Sequence, residues 1–153
     1  MPTSVQWNDA ETREVSAQVE RTMDAFVAMN LENFMAGLAE DVIAFEMDLE
    51  SKPVRLGSRA DVLRWAEEMF AELKKIGARL KLDIHSRDCR ATSQVAYFIV
   101  EFDFKATMAN GSTMSQPSRN SVVLRKGADG WKWVHWHSSL AAVPAPPAPP
   151  AGP

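Results

Sequence analysis

Cysteine is nearly absent. Cys89 is the only one in 153 residues, so an internal disulfide framework is excluded and a reducing, cytoplasmic setting is expected. No apolar run approaches the roughly 18 residues of a membrane span. The opening MPTSVQWNDAETRE has no basic start followed by an apolar stretch, so neither a secretory signal nor a membrane partner is expected. Charge of one sign is missing as well: the net charge is -3 with both signs scattered. Without a basic stripe, nucleic acid is not an expected partner. There is no phosphate-cradling glycine loop and no spaced Cys/His motif, so no organic cofactor and no metal site are expected.

What is present is periodic. Asn8 with Glu11 three residues on has the spacing of a capping box, and Val15, Val19, Thr22, Met23, Phe26 and Val27 then recur at helical intervals. A second helix is predicted from Asn30 to near Ala39, followed by a strand over Val42 to Asp48 and a loop or loose hairpin through Pro53 and Gly57. Ser58 with Asp61 opens a third helix whose stripe is Val62, Trp65, Met69, Phe70, Leu73 and Ile76, with Gly77 as its terminator. Trp65 and Phe70 could flank a bound molecule or simply pack in the core.

After Gly77 the period falls to two. Leu80, Leu82 and Ile84 alternate with Lys81, Asp83 and a solvent-facing His85, and Phe98, Val100, Phe102 and Phe104 share one face of the next strand. Asn110-Gly111 predicts a hairpin turn with both central residues at positive φ. A strand from Met114 to Arg125 follows, with a bulge or sheet edge expected at Pro117. The last strand is Trp131 to Ser138. Helices first and strands later give an α+β class: an antiparallel sheet covered by three helices, in one domain over residues 8–140. Residues 141–153, AAVPAPPAPPAGP, read as a disordered proline-rich tail.

On the last strand, strict alternation sets Trp131, Trp133, His135 and His137 on one face and Val134 and Trp136 on the other. A strand apolar on both faces is covered on both, by the helices on one side and by a second subunit on the other, so a homodimer is expected. His135 and His137 lie roughly 7 Å apart along one face. They could serve as two metal ligands lacking a third, as hydrogen-bonded core residues, or as pocket residues.

The run R-x-S-φ-φ-φ-R-K (Arg119 to Lys126), the turn Asp129-Gly130-Trp131 and the closing V-H-x-H-S-S (Val134 to Ser139) resemble the SnoaL-like domain of the nuclear transport factor 2-like superfamily. The closing strand is also similar to the association domain of calcium/calmodulin-dependent kinase. The resemblance covers about residues 10–139. It implies a cone: a strongly curved sheet wrapped around a long helix and enclosing a pocket, apolar with a few convergent polar groups. Similarity to ketosteroid isomerase implies a general base a few residues after an acidic pair. Here Ala39-Glu40-Asp41 is followed by Glu46 at that position. The isomerase's oxyanion tyrosine has no counterpart in the first helix, since Tyr97 is the only tyrosine. In SnoaL-like relatives an arginine can enter the cavity from the strand that carries Arg119, and would then pair with Glu46 or anchor an anionic ligand.

The resemblance therefore implies catalytic Glu46 and His135, with Arg119, Trp133, His137, Trp65 and Phe26 around a small, partly apolar or anionic ligand. The implied chemistry is proton transfer, as in isomerisation, cyclisation or hydration. The alternative is a non-catalytic association module with a vestigial cavity.

Overall fold

Each helix starts on a side-chain cap. In the computed structural model, which describes residues 4–141, Asn8 accepts from the Glu11 amide at 3.0 Å and opens α1 (Asp9–Val27). Asn30 accepts from the Asn33 amide to open α2 (Leu31–Ala36), and Ser58 accepts from the Asp61 amide to open α3 (Arg59–Lys75). Each cap satisfies one of the donors that a helix start leaves free. Gly77, at φ +66, closes α3 with paired bonds from its own amide to Lys74 and from the Ala78 amide to Leu73. That left-handed residue favours glycine.

The strands are β1 (Leu38–Met47), β2 (Pro53–Leu56), β3 (Arg79–Ala91), β4 (Val95–Thr107), β5 (Thr113–Gly127) and β6 (Gly130–Leu140), in the sheet order β2-β1-β6-β5-β4-β3. α1 packs across β3, β4 and β6, while α3 packs on β1 and β2. All the helices thus cover one face. The core between the layers holds Val15, Val19, Phe34, Val62, Phe70, Phe98, Val100, Leu124 and Trp136.

Several expectations need correction. α2 ends at Ala36, not Ala39, because at Gly37 the chain crosses α1 so closely that an added Cβ would fall 2.1 Å from Thr22 Oγ1. The three helices are not contiguous either, since β1 and β2 precede α3. As a result β1 runs parallel to β6, and the sheet is mixed rather than wholly antiparallel. In the β4–β5 hairpin only Gly111 takes positive φ, at +84, while Asn110 Oδ1 accepts from the Ser112 amide instead. Pro117 makes no bulge, as the β4–β5 register is unbroken from Val95↔Arg125 to Thr107↔Thr113. Its carbonyl faces Ala141, just past the end of β6, so the missing N–H interrupts no ladder there.

The bulge that matters lies in β6. Val123 pairs with His135 but Leu124 pairs with Trp133, so Val134 is an extra residue. It reverses the alternation. Trp131, Trp133, Trp136 and Ser138 face inward, while His135 and His137 face outward. The proline-rich segment beyond Ala141 lies outside the described residues.

Candidate functional site

β1 alternates Val42, Ala44, Glu46 inward and Ile43, Phe45 outward. Glu46 therefore continues a core row and carries its carboxylate under the helical layer. Its neighbour on β6 is brought inward by the Val134 bulge. Ser138 Oγ donates to Glu46 Oε1 at 2.6 Å and Trp136 Nε1 donates to the same oxygen at 2.7 Å. The Met47 amide donates to Oε2 at 2.9 Å. Of the roughly four lone-pair positions on a carboxylate, these bonds occupy three. The position left is on Oε2.

Burial is the largest influence on this acid and pushes its pKa above the ordinary 4.5; the bonds from Ser138, Trp136 and Met47 act in the opposite direction. An enclosed carboxyl group with raised proton affinity and a fixed orientation can accept or return a proton.

A cavity of about 150 Å³ lies over Glu46. Its floor is Glu46, Ser138, Asn120 and Ser118, its walls include Phe26, Trp65 and Phe102, and its mouth is formed by Asp48, Leu49, Met69 and Met114. A smaller hollow of about 50 Å³ shares Phe26, Glu46, Trp65 and Asn120 and reaches inward to Trp133 and Trp136. A larger open groove of about 810 Å³ runs between α1, α2 and the β5–β6 turn. Its charges, among them Glu14, Arg21, Asp24 and Lys132, are of both signs and do not converge on an enclosed group. The candidate site is accordingly the smaller cavity, where the buried acid is.

The seven residues expected at the site divide. Glu46, Phe26 and Trp65 line the cavity. Phe26 and Trp65 stack with centroids 5.9 Å apart, and Trp65 Nε1 donates to the Met47 carbonyl at 3.2 Å. Trp133 borders only the inner hollow, and its Nε1 donates to Gln18 Oε1 at 2.8 Å.

His135, His137 and Arg119 are corrections: all three are on the outer face of the sheet. His135 has its Nδ1 2.8 Å from the Ile43 carbonyl, and both histidine rings pack edge-on against Phe45. The unexpected bulge explains the histidines; Arg119, expected in the cavity from the resemblance alone, is turned outward by the unbroken alternation of β5. With no slip at Pro117, the inward Ser118, Val122 and Leu124 fix the odd-numbered residues of β5 outward, where Arg119 stands opposite Glu101. Among the described residues no three His, Cys, Asp or Glu side chains come together as a metal-holding group.

Sequence reasoning missed Trp136, Ser138, Asn120 and Ser118. One signal was available. Trp131, Trp133 and Trp136 are spaced two and then three apart, and three large indoles seek one core only if the strand carries an extra residue between the last two.

The sequence matches the SnoaL-like domain family over residues 15–144. The chain belongs to that family. No curated protein matches the sequence. Among solved structures, this SnoaL-like chain is similar to a candidate dehydratase of the NTF2-like family from Streptomyces avermitilis, with TM-score 0.76, 16% identity, and 89% of this chain and 100% of that one covered. It is also similar to a candidate calcium/calmodulin-dependent protein kinase II association domain from Xanthomonas campestris, with TM-score 0.66, 20% identity, and coverage of 87% and 88%. A ketosteroid isomerase-like protein from Erwinia carotovora atroseptica superimposes with TM-score 0.64 and 14% identity, covering 89% of this chain and 100% of that one. Identities this low establish the fold alone.

Proposed function

We propose that this SnoaL-like protein binds a small, partly apolar molecule in the cavity over Glu46 and moves a proton on it, with Glu46 as the acid or base. One observation carries the reading: an enclosed carboxyl group held by Trp136, Ser138 and the Met47 amide, with one position on Oε2 unoccupied. Groups fixed in this way act without reorganising during the reaction. Dehydration and isomerisation both need such a step, and two structural neighbours carry those descriptions. Cys89, free and half-buried, is consistent with a cytoplasmic location.

The experiment is native mass spectrometry of the protein purified without added ligand, followed by turnover assays on any co-purified molecule and its relatives. Glu46→Gln is expected to lower kcat by at least about a hundredfold while leaving the mass of the assembly unchanged. Full turnover by that variant would remove Glu46 as the proton-transfer group.

A second reading, a homodimeric association module, is supported by the opposite face of the sheet. Ile43, Phe45, Ile99 and Val123 are exposed there around His135 and His137. One structural neighbour is described as an association domain. This reading predicts a dimer or larger ring with no molecule in the cavity. Trp136, at 2% exposure, points into the core, so a second copy would dock on the side of the sheet that carries His135 and His137.

A further inference from the structure

Among the described residues one buried side-chain polar atom has no hydrogen-bond partner, and it belongs to a residue that lines the cavity. Asn120 sits beside Ser138 in the β5–β6 ladder and lines both the cavity and the inner hollow, and its Oδ1 is buried without a hydrogen-bond partner. The neighbouring hydroxyls are committed: Ser138 donates to Glu46, and Ser118 donates to the Gln116 carbonyl at 3.2 Å. A buried acceptor left in this condition is costly, and native proteins rarely keep one without a use.

The second observation is charge. Glu46 and Asp48 are the charged residues that line the cavity, and no Lys or Arg lines it among the described residues. Arg119, the expected anchor for an anion, is on the other face of the sheet. An anionic ligand would enter beside two carboxyl groups with no compensating cation, which burial penalises heavily.

The third observation is size and texture. The cavity, at about 150 Å³, is walled by Phe26, Trp65 and Phe102 with Met47. A volume of that order accepts a single six-membered ring.

Resting on the reading of this cavity as a ligand site, the geometry points to a ligand class: an uncharged, ring-sized molecule whose hydroxyl or other polar donor pairs with Asn120 Oδ1. Asn120 is then a specificity-determining residue that orients the ring over Glu46.

The test uses phenol, toluene and benzoate as probes, with affinities read by calorimetry or ligand-observed NMR on the full chain. Phenol is expected to bind at least as tightly as toluene, and benzoate at least about a hundredfold more weakly than phenol. Asn120→Leu should shift the phenol-to-toluene ratio toward toluene by about tenfold. It should also raise the melting temperature of the empty protein, because an unpaired buried acceptor has been removed. Asn120→Ala repeats the comparison without added bulk.

An unchanged ratio in both variants, or benzoate binding as well as phenol, overturns the assignment while leaving the cavity a ligand site. A lower melting temperature in both variants also overturns it, since Asn120 would then be making a structural bond. If none of the three probes binds, the assignment falls together with the reading it rests on.

Discussion

Two rows of residues cross the same four strands, one residue apart and on opposite faces. The inner row runs Glu46, Ser138, Asn120, Val100; the outer row runs Phe45, His137, Ser121, Ile99. Each reverses the usual distribution. The buried row starts with an acid, a hydroxyl and an amide, whereas the solvent-facing row holds Phe45 at 42% and Ile99 at 44% exposure. Polar groups sunk among apolar ones and apolar groups left in water both work against stability. Their concentration at one level of the sheet fits the two roles proposed above, proton transfer inside and contact between copies outside.

Inserting one alanine between Trp136 and His137 should break this comparison most severely. With the extra residue, Ser138 turns outward and His137 turns in, a loss expected to exceed about 5 kcal/mol. Circular dichroism and solubility would report it; a folded, fully stable insertion variant would refute the assigned phase of β6. Trp136→Ala comes next, at about 4 kcal/mol in chemical denaturation, from the cavity it leaves and the donor it takes from Glu46.

Glu46→Gln tests the inner row through pH. A carboxyl whose pKa is higher folded than unfolded binds more protons in the native state. Wild-type stability should therefore fall as pH rises from about 4.5 through the raised value, then level off. The glutamine variant should lack that fall. Asp83 acts in a separate window: hydrogen bonds from Lys105 and Lys81 draw its pKa down to about 2, so its contribution is lost only as pH drops below 3.8. A decline confined to acid in the wild type would contradict the account of Glu46.

Phe45→Asp addresses the outer row. Its effect on monomer stability should stay within about 1 kcal/mol, yet sedimentation should show the assembly dissociating if this face joins two copies. An unchanged sedimentation profile would place the interface elsewhere. Arg119→Ala is the mildest change, expected within about 0.5 kcal/mol and without effect on ligand affinity. A marked loss of affinity would mean that the side chain reaches the cavity after all.

Most of the fold was legible in the sequence because caps, stripes and strand alternation are local signals. Asn8, Ser58 and Gly77 each perform the expected local task. The candidate site was legible only in part. Glu46 faces inward as simple alternation along β1 requires, but His135 and His137 were placed by counting in twos through a segment where a bulge decides the phase, and Arg119 by resemblance alone. A bulge is set by what the neighbouring strand and the helical layer demand, here by three indoles competing for the same core. Asn120 escaped notice because the resemblance pointed to Arg119, its neighbour on the opposite face of β5.

The pairing of β1 with β6 has a consequence for how the chain is made. Glu46 and Trp136 are 90 residues apart, and the strands between them can zip into a meander as each leaves the ribosome. β1 cannot complete its pairing until β6 has emerged, and until then one of its edges is bare, with Ile43 and Phe45 beside it. Such an edge invites pairing with the wrong chain, and contacts so distant in sequence form slowly. Ligand binding in the cavity would then double as a proofreading mark, because only a chain that has seated its final strand can carry it.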